Sequence, residues 1–306
     1  MEIGQVLEPV SVFKTLTALL EGAKAEVVIV SPFITFDLLQ KLLNRVNSGV
    51  KVTVVTRFRP EEIVKNFNSL EVFDLLVGRN DGHLRLAYHL HAKYYRIDSQ
   101  VILGSGNLTN SGLNTYPGGN HEVMALLNSS FPGVENFENR IFGNSTVPTA
   151  NFVADLQRCV DELALSNLTH LFPKIESNSP AAFEGAGWIP CCESPSSIFN
   201  VYNNDLAEID KRVVEDARND LEYLSIPTGL TREYFNKYVK IAIHQSSLIS
   251  TIDGGFDVDQ GITPSIGIEL IGKNLKLNRV EATTAWYCAI NWLAYFFPEK
   301  YGIRTH

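Results

Sequence analysis

Residues 89–109 read HLHAKYYRIDSQVILGSGNLT, an apolar stretch broken by His91, Lys93, Asp98, Ser105 and Asn107. These side chains suit chemistry at phosphorus. An imidazole can act as nucleophile or as acid and base near neutral pH. An ammonium group gives a fixed positive charge for a phosphate oxygen. A hydroxyl and an amide add donors and can orient the ring. No carboxylate cluster accompanies them, so no divalent metal and no cofactor are expected.

Positioning them takes two paired strands. Residues two apart on a strand share a face, so His91 goes with Lys93 and Ser105 with Asn107. A three-residue turn, Asp98-Ser99-Gln100, pairs Ile97 with Val101, Tyr95 with Leu103, Lys93 with Ser105 and His91 with Asn107. All four polar side chains then form one patch. A two-residue turn puts Ser105 on the opposite face, so the register decides the matter.

The surrounding pattern supplies a frame for such a hairpin. Ser11–Ala23 has helical spacing; Glu26–Val30 and Lys51–Thr56 are short runs rich in β-branched residues. A helix from Thr35 to Val46 lies between them, and Pro60 with two carboxylates opens another. This order predicts a parallel strand pair in an α/β layer. Four further strands follow quickly, at Leu84–Tyr88, Ala92–Ile97, Val101–Gly104 and Glu122–Leu127, so the sheet should be mixed. Helices are expected at Val134–Phe142 and Asn151–Leu165. The fold class is therefore α/β, a mixed sheet flanked by helices, followed by a second, mainly helical domain.

The expected boundaries are residues 1–165 for the first domain, 166–204 for an irregular linker rich in Ser, Pro and Asn, and 205–306 for the helical domain. Helices are read at Asp205–Leu224, with Leu206, Ile209, Val213, Ala217, Leu221 and Leu224 in a stripe, at Thr231–Leu248 and at Arg279–Phe297. Trp286, Ile290, Leu293 and Phe297 share a face of the last and read as core.

The net charge is −8, yet residues 1–125 hold 12 basic and 12 acidic residues, so the excess lies in the C-terminal part. An acidic protein has no global pull on nucleic acid; a polyanion must meet a local basic patch. Four cysteines without a CxxC pair read as reduced, buried thiols. No signal segment and no membrane-spanning run is found, which predicts a cytoplasmic protein without membrane contact.

The spacing His91-x-Lys93-x4-Asp98, followed by Gly104-Ser105-Gly106-Asn107, resembles the HKD motif of the phospholipase D superfamily. One departure is present: five residues separate Asp98 from Gly104, where the usual pattern has six. The continuation NLTNSGL and the earlier SPF at 31–33 resemble the prokaryotic nuclease branch, which includes metal-independent restriction enzymes. Asn120-x-Glu122 matches an Asn-x-Glu that follows the motif in this family. The likeness covers roughly residues 10–165.

The resemblance implies a two-step, metal-free phosphodiester transfer. One His attacks phosphorus; a second His, from a second copy of the motif, protonates the leaving oxygen and then activates water. Lys and Asn hold the phosphoryl oxygens. Glu122 would accept a hydrogen bond from the other nitrogen of His91, Ser105 would help orient the pair, and Asp98 would be structural. Only one motif occurs in this chain, so the resemblance implies a homodimer sharing one active site. Arg57 and Arg59, at the end of a predicted parallel strand, and His89 are candidates for gripping substrate phosphates; a solvated loop is the alternative for the arginines.

The expected activity is a nuclease cleaving DNA or RNA, with prokaryotic defence as its setting and a possible protein partner for the C-terminal domain. Two other readings stand beside it: a lipid-acting phospholipase D or phosphatidyltransferase, and a non-catalytic phosphate-binding interaction module.

Overall fold

The computed structural model describes residues 4–115, 119–165, 188–207, 209–253 and 261–302. The chain divides into two units between Ala164 and Leu165. In the first, seven strands form one sheet: β1 (Gln5–Leu7), β2 (Glu26–Val30), β3 (Lys51–Thr56), β4 (Gly82–Leu86), β5 (Tyr94–Ile97), β6 (Gln100–Gly104) and β7 (Met124–Asn128). Their order is β1-β7-β6-β5-β2-β3-β4. The β2–β3 and β3–β4 pairs are parallel and the others antiparallel, so the sheet is mixed as expected. Its helices are α1 (Pro9–Glu21), α2 (Phe36–Leu43), α3 (Pro60–Val64), α4 (Glu71–Val77), α5 (Val134–Gly143) and α6 (Ala150–Leu165).

The β-branched runs become central strands because helices cover both faces and leave almost no residue to water. Val27–Val30 and Val52–Thr56 are buried throughout. Val28, Val30 and Val55 share one core cluster with Ala87, Leu90, Tyr94 and Val101. Leu90 thus sinks a side chain into the core immediately before His91. The edge strand β1 has no alternation to announce it and owes its form to pairing with β7.

The hairpin register differs from the expectation. Ile97 pairs with Gln100, Tyr95 with Ile102 and Tyr94 with Leu103, leaving a two-residue turn at Asp98-Ser99. Asp98 adopts a left-handed φ of 50°, which Asp tolerates better than most residues. Its carboxylate accepts N–H groups of Lys24 (2.9 Å), Ala25 (2.9 Å) and Glu26 (3.0 Å). Those three bonds outweigh desolvation and hold the carboxyl below its usual range. Asp98 therefore ties the turn to the start of β2.

The second unit contains α7 (Ile198–Tyr202), α8 (Lys211–Leu224), α9 (Arg232–His244), α10 (Ser247–Asp253), α11 (Pro264–Leu275) and α12 (Arg279–Phe296). Of the segment 166–204, residues 166–187 lie outside the described residues; beyond them Trp188, Cys192, Ile198 and Val201 are buried. α8 begins later than the expected Asp205 because the Asp210 side chain caps it by accepting the Arg212 N–H. Its inner face carries Val214, Ala217, Leu224 and an acid, Asp220. Asp220 is buried at the place where Leu221 was expected because it accepts N–H groups of Trp188, Cys191 and Cys192. The helix expected over 231–248 is two, α9 and α10. Trp286 and Leu293 of α12 are core, whereas Ile290 and Phe297 are only partly covered. All four thiols are free and Cys191 is exposed. No helix among the described residues is long and apolar enough to cross a membrane.

Candidate active site

The ends of β2, β3, β4 and β6 and the starts of β5 and β7 meet at one end of the sheet. The pairs Val30 with Tyr94, Thr56 with Leu86, and Gly104 with Met124 fix this. Loops outside the carboxyl ends of parallel strands are where open α/β sheets place ligands. His91 and Lys93 lie in the connection between β4 and β5, Ser105 and Asn107 follow β6, and Glu122 precedes β7.

His91 is exposed. Its pKa is lowered, first by partial desolvation and then by the positive charges of Lys93 and Arg57. A neutral imidazole, the nucleophilic form, is favoured near neutral pH. Lys93 is 8 % exposed and donates from Nζ to the His91 carbonyl at 2.6 Å. Desolvation and Arg57 bring its pKa down to about 8, with Glu122 opposing them. The ammonium is thus charged near pH 7 but poised to lose its proton far earlier than an ordinary lysine.

Ser105 and Glu122 meet each other and not His91. The Ser105 hydroxyl donates to Glu122 Oε2 and accepts the Val123 N–H at 2.9 Å. The other Glu122 oxygen accepts Asn120 Nδ2 at 3.1 Å. The hydrogen bond from His91 to Glu122 implied by the family resemblance is therefore replaced by bonds from Ser105 and Asn120. The two-residue turn is the reason: Gly104 N donates to the Lys93 carbonyl at 3.2 Å, so Ser105 falls one place off Lys93 and turns towards β7. Glu122 acts on Lys93 through its charge.

Asn107 sits in a tightly held loop. Tyr95 donates its hydroxyl to the Gly106 carbonyl at 2.7 Å, and Leu108 N donates to Ser31 Oγ at 3.0 Å. A Cβ on Gly104 would lie 2.0 Å from the Val123 carbonyl, and one on Gly106 2.5 Å from that of Gly112. Only glycine permits these approaches. Against this satisfied frame, the Oδ1 atom of Asn107 is buried with no hydrogen-bond partner. Unpaired buried polar atoms are uncommon and point to a role beyond packing.

Arg57 and Arg59, expected to grip phosphates, are engaged elsewhere. Arg57 is 4 % exposed and donates to both Glu62 oxygens (2.6 and 3.2 Å) and to the Leu90 carbonyl (2.8 Å). Arg59 donates to the Tyr88 carbonyl from Nη2 (3.0 Å) and Nε (3.3 Å). His89 packs edge-on against Tyr88. Desolvation, then Arg59 and Arg57, depress its pKa to about 3, so it brings no positive charge to a phosphate. The alternation that placed it beside His91 fails because residues 87–93 are not a strand.

Ser31 and Asn68 escaped the sequence reading. Ser31 Oγ accepts from Leu108 N and donates to the Phe33 carbonyl at 2.8 Å, so the SPF turn holds the loop after Asn107. Asn68 is buried; it accepts the Ile34 N–H and donates to the Pro32 and Arg57 carbonyls. The SPF motif was a signal for Ser31. Nothing in NFNSL marks Asn68, whose role arises from chain folding alone. Among the described residues no group of three or more His, Cys, Asp or Glu is placed to hold a metal ion.

The family model described as "Cardiolipin synthase, PLD-like domain" matches residues 16–141. No curated protein matches the sequence. Among solved structures, NucT from Helicobacter pylori is similar at 16% identity and a TM-score of 0.36, covering 46% of this chain and 93% of that one. The phospholipase D family member Nuc from Salmonella typhimurium gives 19% and 0.33, covering 46% and 91%. Phosphatidylserine synthase from Haemophilus influenzae gives 12% and 0.41, covering 53% and 44%. The family match spans the motif residues from the SPF turn to Glu122, so the part of the chain that resembles the PLD-like domain model is the mixed sheet and helices of the N-terminal unit.

Proposed function

We propose that this protein is a metal-independent phosphodiesterase that cleaves nucleic acid as a homodimer sharing one site. The observation that carries the reading is an exposed His91, held towards its neutral form, beside a largely buried Lys93 within an HKD pattern one residue shorter than usual. In the first step a His91 nitrogen attacks phosphorus, a P–N bond forms, and the P–O bond to the leaving strand breaks. The His91 imidazolium of a second copy gives its proton to the departing oxygen. That imidazole then takes a proton from water; the hydroxide oxygen bonds to phosphorus and the P–N bond breaks. Lys93 and Asn107 from each copy hold the non-bridging oxygens as charge builds on them. The C-terminal domain would serve recognition, dimer contacts or a protein partner, with defence against foreign nucleic acid as the setting.

The test is incubation with labelled DNA, labelled RNA and phospholipid vesicles, each in excess chelator and each with His91→Ala as control. Cleavage of nucleic acid by the wild type only supports the proposal. Cleavage of phospholipid alone moves the substrate to lipid, and activity that requires added magnesium sinks the mechanism.

A further inference from the structure

We propose that Arg57 and Arg59 are positioning residues: from the connection after β3 they clamp the loop that presents His91, with Glu62 fixing Arg57 in that pose. The proposal rests on His91 being the reacting imidazole. It assigns the two arginines to the protein's own backbone and not to the substrate.

The loop 87–93 joins β4 to β5 and has no ladder of its own, so its carbonyl groups need other partners. Backbone bonds fix its start: Ala87 N donates to the Thr56 carbonyl at 2.8 Å, and Leu90 N to that of Ala87 at 3.0 Å. Three of the carbonyls beyond go to cations. Tyr88 is held by Arg59, Leu90 by Arg57 and His91 by Lys93. Each guanidinium also lies over an aromatic ring, Arg57 over Phe33 at 5.2 Å and Arg59 over Tyr88 at 4.5 Å. Phe33 belongs to the SPF turn, which also anchors the loop after Asn107. One network therefore braces both catalytic segments.

Arginine suits this task and lysine does not. Arg57 directs Nε and Nη2 to Glu62 and Nη1 to Leu90, a planar fork addressing two partners at once. Glu62, itself 1 % exposed, has its charge compensated by the same contact, so neither ion is left buried alone. The clamp also brings charge. Arg57 and Lys93 act on His91, and Arg57 and Glu122 act on Lys93. Arg57 in turn faces Glu62, Arg59 and Glu61. Arg57 thus favours a neutral nucleophile while fixing where that nucleophile stands. A residue that only held the fold would leave the titration of His91 unchanged.

Three variants separate these effects. Arg57→Gln with Glu62→Gln removes both buried charges together and so avoids stranding one. Arg57→Lys keeps the charge and loses the fork. Arg59→Gln, at a less buried position, loses the bonds to Tyr88. The readouts are the NMR titration of the His91 ring, assigned with His91→Asn, hydrogen exchange over residues 87–93, and steady-state cleavage of a phosphodiester in chelator. In the double variant His91 titrates higher by about half a unit to one unit, and kcat falls about tenfold to a hundredfold with KM nearly constant. In Arg57→Lys kcat falls while His91 still titrates at the wild-type pH. In Arg59→Gln the loop exchanges at least about tenfold faster.

A double variant whose His91 titrates as in the wild type overturns the proposal. If the double variant does not fold, Arg59→Gln decides: loop exchange at the wild-type rate overturns it equally. A wild type that cleaves no phosphodiester removes the functional reading, while titration and exchange still decide the clamp.

Discussion

The two ends of the β5–β6 hairpin hold the motif's polar residues in opposite ways. At the turn, Asp98 has three backbone donors and a depressed pKa. At the open end, His91 faces solvent and Asn107 Oδ1 is buried without a partner. A satisfied carboxylate contributes to stability; an unsatisfied amide is retained at a cost to stability. One short motif therefore joins a fully bonded structural end to an open end, and perturbation separates them.

The largest effect is expected from His91→Ala. On the proposed mechanism it removes nucleophile and acid from a shared site and should lower turnover at least about a thousandfold, with thermal unfolding unchanged because the ring is exposed. Hybrid dimers of wild type and His91→Ala sharpen this: a steady-state rate near half that of the wild type would mean independent sites in each chain. Asn107→Ala should come next, with turnover down about a hundredfold and stability unchanged or raised, since it deletes an unpaired buried atom. A large loss of stability in that variant would break the contrast between the two ends.

Lys93 gives a smaller, pH-dependent effect. Its ammonium has a pKa of about 8, so affinity for an oligonucleotide in the His91→Asn background should fall as pH rises through about 8. Lys93→Arg, which stays charged, should keep that affinity to higher pH. Titration of binding by fluorescence anisotropy measures both; a pH-independent wild type from 7 to about 9.5 would contradict the assignment.

The strands β2 and β3 could be read from β-branched runs, and β4 to β7 from short apolar or aromatic runs in quick succession, because tertiary packing and local preference agree there. His91, Lys93 and Asn107 stood out because their types and offsets are unusual in apolar surroundings. The register did not follow from the pattern: apolar residues run through Tyr94–Ile97 and Val101–Leu103 on both faces, so alternation cannot distinguish a two-residue from a three-residue turn. His89 was misplaced for another reason: residues 87–93 are not a strand, so strand alternation does not apply to them. Arg57 looked like a phosphate grip because no sequence rule pairs it with Glu62 across the bend that begins α3. Asp220 was hidden for a related reason, since its three donors come from residues far away in the chain.

The smallest expected effect belongs to Asp98, and it tests the structural end of the hairpin by itself. Asp98→Asn keeps the size and one acceptor oxygen but loses the charge and faces an N–H donor with an NH2 group. The cost in stability should be about 1 to 2 kcal/mol at pH 7. The pH dependence has a definite sign. The folded carboxyl has a pKa below the unfolded value of about 3.9, so its contribution is complete well above that value and is lost as pH falls through the folded pKa. Denaturation curves of wild type and variant should therefore differ most near neutrality and draw together on acidification below about pH 4. Turnover per folded molecule should stay at the wild-type level, because Asp98 lies at the far end of the hairpin from His91. A variant that retains full stability at pH 7 but loses turnover would move Asp98 from the frame into the chemistry and dissolve the division between the two ends.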